Sequence, residues 1–149
     1  MNAKPAQDPV NIVCPQCQSI NRLPACRLHD VPTCGACKQA LFRAHPVELT
    51  SDSFERYIFR NDIPVLVDFW APWCAPCKMM TPAYLEAARE LEPEVRLAKL
   101  NTEDAPAIAA RFGIRSIPTM ILFSGGREAE RQSGAMGSGD VVRWVRAHI

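Results

Sequence analysis

The sequence predicts an α/β domain over residues 47–149, preceded by a small cysteine-bearing segment over residues 1–46. Three observations predict it. After Pro46, strand-like apolar runs alternate with segments of helical periodicity, the pattern of helices packed on a sheet. Before Pro46 the chain is broken by Pro15, Pro24, Pro32 and Gly35, carries two Cys-x-x-Cys pairs and shows little helical periodicity. A segment that short cannot build its own core and needs a staple. The total of 149 residues fits one ordinary domain with room for such an appendage.

The elements follow in order along the chain. Val47 to Leu49 reads as a short strand, after which Ser51 or Asp52 caps a helix to about Arg60. Phe54, Tyr57 and Ile58 share one face of that helix. Val65 to Trp70, "VLVDFW", is nearly continuous in apolar residues, as a strand covered on both faces must be. From Cys74 to about Glu92, Met80, Tyr84, Ala87 and Leu91 recur at helical spacing, and Pro82 within the stretch predicts a kink. Val95 to Asn101 is the next strand. Ala105 to Phe112 is a short helix that Gly113 ends in a left-handed conformation. Thr119 to Phe123 and Glu128 to Gln132 flank "SGG" as a hairpin. A last helix spans about Gly139 to His148, with Val141, Trp144 and Val145 inward. The order is β-α-β-α-β-α-β-β-α.

A net charge of +1 gives no general argument for nucleic acid or a membrane surface as partner. The balance is uneven, with +3 on residues 1–46 and −2 on the rest, and four thiolates holding one Zn²⁺ would bring the first segment to +1. No apolar run reaches the roughly 20 residues that cross a bilayer. "MNAKPAQDPVNIV" lacks the apolar core of a secretory signal, so the expected compartment is the cytoplasm. Reducing conditions there argue against structural disulfides among seven cysteines, an odd number that cannot pair completely within one chain.

Cys14 and Cys17 form one Cys-x-x-Cys pair, Cys34 and Cys37 a second, with 16 residues between the pairs. This lies within the spacing of a four-cysteine zinc ribbon. Two tight knuckles, one helped by Gly35, would give a closed tetrahedral shell with no position for water, hence one structural Zn²⁺ per chain. Free thiols or paired disulfides are the alternatives. Cys26 and His29 lack partners at this spacing and read as a spare cysteine and a surface histidine. "CRLHDVPTCGACKQALFR" has neither the basic density nor the aromatic interleaving of a nucleic-acid site. The segment is therefore expected to pack beside the α/β domain or modulate a partner, with redox sensing by zinc release second.

The third pair, Cys74 and Cys77 in "WCAPC", stands where a strand turns into a helix. Unpaired N–H groups and the macrodipole at a helix start stabilise an anion, so the first thiol should ionise more readily than a free cysteine. The second lies nearly one turn on, close enough to attack a mixed disulfide formed by the first. Pro76 stiffens the loop between them. Half a zinc site or two inert buried cysteines are the alternatives, and the other two pairs already satisfy each other.

"VDFWAPWCAPCKMMTP", "AKLNTED" and "FGIRSIPT", in this order and spacing, resemble the thioredoxin family over essentially all of residues 47–149. With the N-terminal pairs, the whole chain is similar to the zinc-containing bacterial thioredoxin 2 type. The resemblance implies a thioredoxin fold, a central mixed sheet flanked by helices, behind a small zinc ribbon. It implies that Cys74 is the exposed attacking thiol and Cys77 the buried resolving one. Asp68 matches the family's buried carboxylate, which takes the proton of Cys77 through water, with Lys99 near it; a merely structural buried aspartate is the alternative. Pro118 matches the family's cis-proline, which keeps metal from the dithiol and leaves the backbone of Ile117 free to pair with an extended peptide.

Trp73, Ile117, Gly134 and Ala135 would line the apolar docking surface, although Trp73 alone also suits a packed aromatic. The implied activity is protein-disulfide reduction by a monomer, recycled by an NADPH-dependent thioredoxin reductase. The chain has no Gly-x-Gly-x-x-Gly fingerprint and no implied organic cofactor. Ala75 stands where the family commonly has Gly, which bears on redox poise, and Ser133 makes the docking surface more polar than in many relatives. A disulfide oxidase or isomerase, and a zinc-dependent binding module on an inert scaffold, are the competing functions.

Overall fold

The computed structural model describes residues 7–149. The N-terminal segment contributes β1 (Pro9–Val13) and β2 (Ile20–Pro24). Then come β3 (Val47–Leu49), α1 (Phe54–Arg60), β4 (Val65–Trp70), α2 (Ala75–Leu91) and β5 (Arg96–Asn101). The chain closes with α3 (Pro106–Arg111), β6 (Thr119–Ser124), β7 (Arg127–Ser133) and α4 (Ser138–Arg146). Five strands form one sheet in the order β3-β5-β4-β6-β7. The first three are parallel and β6 and β7 run antiparallel, so the sheet is mixed, as expected.

Alternation along β4 sorts the core. Val65, Val67 and Phe69 pack with Phe54, Tyr57 and Ile58 of α1 and Ile108 of α3. Leu66 turns to the other face, where Met80, Tyr84, Val141 and Val145 of α2 and α4 cover it. The Tyr84 hydroxyl lies 3.0 Å from the Leu66 carbonyl and 2.8 Å from that of Ala98, which pins α2 across β4 and β5. At the β6–β7 turn, Gly125 and Gly126 have φ of +61° and +80°, the left-handed pair that a two-residue hairpin turn requires.

Three details differ from the sequence reading. The helix start at α1 is capped by Thr50 rather than Ser51 or Asp52. The Thr50 hydroxyl accepts the Ser53 N–H at 3.1 Å while the Ser53 hydroxyl accepts the Thr50 N–H at 2.9 Å, a reciprocal box. On α4, Val142 is buried and Trp144 only half-buried. Finally, β1 and β2 pair antiparallel from Pro9–Pro24 to Val13–Ile20, an element the periodicity did not reveal.

The N-terminal segment is held to the sheet by polar contacts at the start of β5. Arg96 and Glu92 form an ion pair at 3.0 Å with side chains 1% and 3% exposed. The second guanidinium nitrogen donates to the carbonyls of Val13 (3.2 Å) and Leu41 (2.8 Å), and the ring of Phe42 lies 4.6 Å beneath. Glu92 also accepts the Ala44 N–H at 3.0 Å. Burial pushes the Glu92 carboxyl up and the Arg96 guanidinium down, so it is these partners that hold both groups charged. Tyr57 donates to the Cys14 carbonyl at 2.6 Å, and Asn61 accepts the Val13 N–H at 2.9 Å. Replacing Arg96 by Ala strands a buried carboxylate and two carbonyls. It should lower unfolding free energy by about 3–5 kcal/mol, read as a fall in the urea midpoint, with Arg96→Lys recovering only part because one ammonium cannot span all three acceptors.

Candidate functional site

The central strand β4 ends at Trp70, and three residues later the chain enters α2 with Cys74 as its N-cap. The Cys74 N–H closes the turn onto the Ala71 carbonyl at 3.1 Å, and its own carbonyl accepts the Lys78 N–H at 3.1 Å. With φ −87° and ψ 109°, Cys74 is extended, and its sulfur accepts the Cys77 N–H at 3.2 Å. A sulfur here takes the place of the usual Ser or Asp oxygen at a helix start. Pro76 falls in the first turn, where its missing N–H would have had no helical partner. The sulfurs of Cys74 and Cys77 are joined as a disulfide, with Cα atoms 5.3 Å apart.

Cys74 is not exposed as expected. It is 5% exposed, close to the 3% of Cys77. Its sulfur is bonded to Cys77, lies 3.7 Å from the Ile117 carbonyl oxygen and packs with Ala71, Trp70 and Ile117. The Ile117–Pro118 peptide is cis, as the resemblance implied. The Pro118 carbonyl accepts the Gly134 N–H at 2.9 Å, and the Thr119 and Ser133 hydroxyls meet at 3.0 Å. These contacts bring the 117–119 and 133–135 segments together beside the dithiol. Trp73 (67% exposed), Gly134 and Ala135 face solvent, and Ile117 is half-buried.

Asp68 is 2% exposed, and its Oδ1 has no hydrogen-bond partner among the described residues. Strand alternation puts it on the sheet face that α2 covers, where Cys77, Met80 and Tyr84 are the buried residues of the helix's first half. Burial pushes its carboxyl up to about 7; Lys99, its register neighbour on β5, pulls it down, and Glu48 on β3 pushes it up. The Lys99 ammonium lies 4.4 Å above the ring of Trp70. Asp68 can therefore change charge near neutrality.

The four N-terminal cysteines converge. One sulfur from each of Cys14, Cys17, Cys34 and Cys37 lies within 4.8 Å of the others, with Cys14–Cys37 and Cys17–Cys34 at 3.6 Å. A tetrahedral Zn²⁺ with Zn–S near 2.3 Å would need sulfurs about 3.8 Å apart, so the donor set fits. Both knuckles close alike: the Gln18 N–H reaches the Cys14 carbonyl at 3.1 Å and the Lys38 N–H that of Cys34 at 2.9 Å, with φ of +64° and +66° at the two donors.

Backbone N–H groups point at the sulfurs, Gln16 to Cys14 at 3.3 Å and Ala36 to Cys34 at 3.4 Å. Cys34 is pulled down to about 6 by a backbone hydrogen bond and by the Asn21 amide. Cys37 is pushed up to about 11, because burial and the neighbouring sulfurs outweigh a backbone hydrogen bond that lowers it. Cys26 and His29 are exposed and outside the cluster. The supports that sequence reasoning missed are Tyr57 and Arg96. Arg96 was signalled by its position, in phase with Ala98 and Leu100 on a buried strand face.

Comparison with known proteins agrees with this arrangement. The family model described as Thioredoxin matches residues 45–147, and a zinc-ribbon family described as Thioredoxin 2, N-terminal, matches residues 13–39. The chain is similar to Thioredoxin C-3 of Corynebacterium nephridii, 42% identical over 134 residues that cover 90% of this chain and 92% of that one. It is also similar to a thioredoxin of Rickettsia bellii, 41% identical over 68% of this chain and 96% of the relative. A thioredoxin of Porphyra purpurea is 47% identical over 60% and 83%, respectively. A redox dithiol at a helix start, a cis-proline beside it and a four-cysteine segment in front thus have one common explanation: the chain belongs to the thioredoxin family, and Cys74 and Cys77 fit its active-site dithiol.

Proposed function

We propose that the protein is a protein-disulfide reductase, within the oxidoreductase activity of its family. The observation that carries this reading is the Cys74 sulfur at the helix N-cap, accepting the Cys77 N–H. That position favours the thiolate when the pair is reduced, a lowering of thiol pKa for which thioredoxin is the standard example. The Cys74 thiolate attacks one sulfur of a client disulfide. The client S–S bond breaks, a mixed disulfide forms, and the departing client thiolate takes a proton from solvent. Cys77 then gives its proton to Asp68 and attacks the Cys74 sulfur. The Cys74–Cys77 bond forms, the second client thiolate leaves, and two electrons have passed to the client. A thioredoxin reductase drawing on NADPH returns them. Pro118, Trp73, Ile117, Gly134 and Ala135 form the surface on which the client backbone rests.

In this reading residues 1–46 are a ribbon in which Cys14, Cys17, Cys34 and Cys37 hold one structural Zn²⁺, and residues 47–149 are the catalytic domain. When bound, the ion supplies a closed cross-link and no reactive position. The protein works as a monomer in the cytoplasm. No helix among the described residues is long and apolar enough to cross a membrane.

Three outcomes test the proposal. In a coupled assay with thioredoxin reductase, NADPH and a protein disulfide, the wild type should consume NADPH and Cys74→Ser should fall to background. Elemental analysis should find one zinc per chain, lost on replacing Cys34 and Cys37 together by Ser; full retention would overturn the ligand assignment. The third concerns Asp68. Its folded pKa of about 7 lies above the unfolded value, so between about pH 4 and pH 7 the folded protein binds the extra proton. Stability should therefore fall as pH rises through this window, by up to about 4 kcal/mol from this group. Urea titrations of Asp68→Asn should lack that slope, and the variant should resolve the mixed disulfide more slowly.

A further inference from the structure

A groove of about 400 Å³ runs from Trp73 and Ile117, the neighbours of the dithiol, to α3. Trp73 and Ile117 form its near wall, and Pro106, Ala109 and Ile114 its apolar bed, with Arg115 at the rim. Arg115 is exposed and has no hydrogen bond or ion pair among the described residues. The neighbouring arginines are engaged. Arg111 pairs with Glu55 and lies 5.0 Å over the ring of Phe112, and Arg131 pairs with Glu128 and donates to the Phe112 carbonyl. The nearest carboxylates in sequence, Glu103 and Asp104, precede the other end of α3 and do not line the groove. One free cation thus borders a largely apolar groove whose wall residue Ile117 also touches the Cys74 sulfur.

We propose that this groove selects clients, and that its occupant is an extended client segment carrying a carboxylate close to the reacting cysteine. The inference rests on the reductase reading and deepens it. A client cysteine that reaches Cys74 must lie beside Ile117, whose carbonyl oxygen is 3.7 Å from the sulfur. Arg115 is two residues away, a backbone span of at most about 7 Å, which an extended client covers in two residues. The client's flanking apolar side chain rests on Ala109 and Ile114, and an Asp or Glu two positions from its cysteine meets the guanidinium. A lysine at that position meets like charge instead. Arg115 is a specificity residue: the exchange itself, and its electron balance, stay with Cys74 and Cys77.

The test uses the full-length protein and two synthetic peptides, each a disulfide-linked dimer with alanine on both sides of a central cysteine and either glutamate or lysine at both ends. Reduction is followed with thioredoxin reductase and NADPH at low salt. The wild type should prefer the glutamate peptide in kcat/KM by about fivefold, the scale of one exposed charge contact made against one opposed. Arg115→Glu should reverse the preference. It should leave reduction of a small uncharged disulfide unchanged, which shows that the variant is folded and active. High salt should shrink the wild-type ratio. A glutamate-to-lysine ratio unaltered by Arg115→Glu, with both peptides reduced, overturns this inference and leaves the reductase reading intact. A wild type that reduces neither peptide nor a protein disulfide overturns the reductase reading, and this inference falls with it.

Discussion

The hydrogen bond from the Cys77 backbone N–H to the Cys74 sulfur is the contact on which the chemistry of this molecule depends. It exists because three constraints coincide. Strand β4 is buried on both faces and cannot shift, so the point where it releases the chain is fixed. Helix α2 is pinned at its middle by Tyr84 reaching two strand carbonyls, so its first turn has one position. The turn at Ala71 then leaves Cys74 extended, with its side chain folded over the open end of the helix. A sulfur held there faces the backbone N–H groups at the helix start, which stabilise a negative charge on it when the pair is reduced. In the proposed reaction the rest of the domain holds a client against that atom and takes the proton of its neighbour.

Two buried carboxylates show how the same fold sets opposite outcomes. Glu92, just past the end of α2, meets Arg96 and the Ala44 N–H, and its charge serves as a clamp between the two parts of the chain. Asp68, below the start of α2, has one oxygen with no partner among the described residues, and its register neighbours are the half-buried Lys99 and the apolar Met120. Desolvation acts on both, but only Asp68 is left free to exchange a proton near neutrality. The two sites also stand apart. Helix α2 has 17 residues between them, about 25 Å at 1.5 Å per residue. The N-terminal segment, tied down at Arg96, is therefore attached at the end of α2 away from the dithiol.

Much of this was legible in the residues. The unbroken apolar run made β4, the double glycine made the β6–β7 turn, and the cysteine spacings separated a metal-type cluster from a redox-type pair. What escaped had identifiable physical causes. The run Thr50-Ser51-Asp52-Ser53 offers four capping residues in a row, and only the reciprocal hydrogen bonds decide for Thr50. Strands β1 and β2 are five residues each, too short for periodicity to register, and they exist because Val13 packs into the core of the α/β domain while Val10 and Ile12 pack with Cys34, Leu41 and Ile63. The cis bond at Pro118 was accessible only through family likeness, since the local sequence permits either isomer. The burial of Cys74 depends on the Ile117 carbonyl, 43 residues away in the chain, and no local pattern reports it.

The motif Cys-x-x-Cys occurs three times, and the backbone path after it decides what each copy can do. In both N-terminal knuckles the N–H two residues after the first cysteine turns back onto its sulfur, and a left-handed residue four positions on reverses the chain. Sulfur contacts of 3.6 Å then run between knuckles, Cys14 to Cys37 and Cys17 to Cys34, and all four atoms lie within 4.8 Å, a shell rather than two separate pairs. At Cys74 the chain does not reverse. It continues as a helix, the bond to the sulfur comes from the N–H three residues on, and the second sulfur arrives within bonding reach of the first. A reversed path surrounds a point with donors, whereas a helical path places an anion site next to its own resolving group. The residue that follows the pair, Gln18 or Lys38 in one case and the rest of α2 in the other, is thus as much a part of the function as the cysteines themselves.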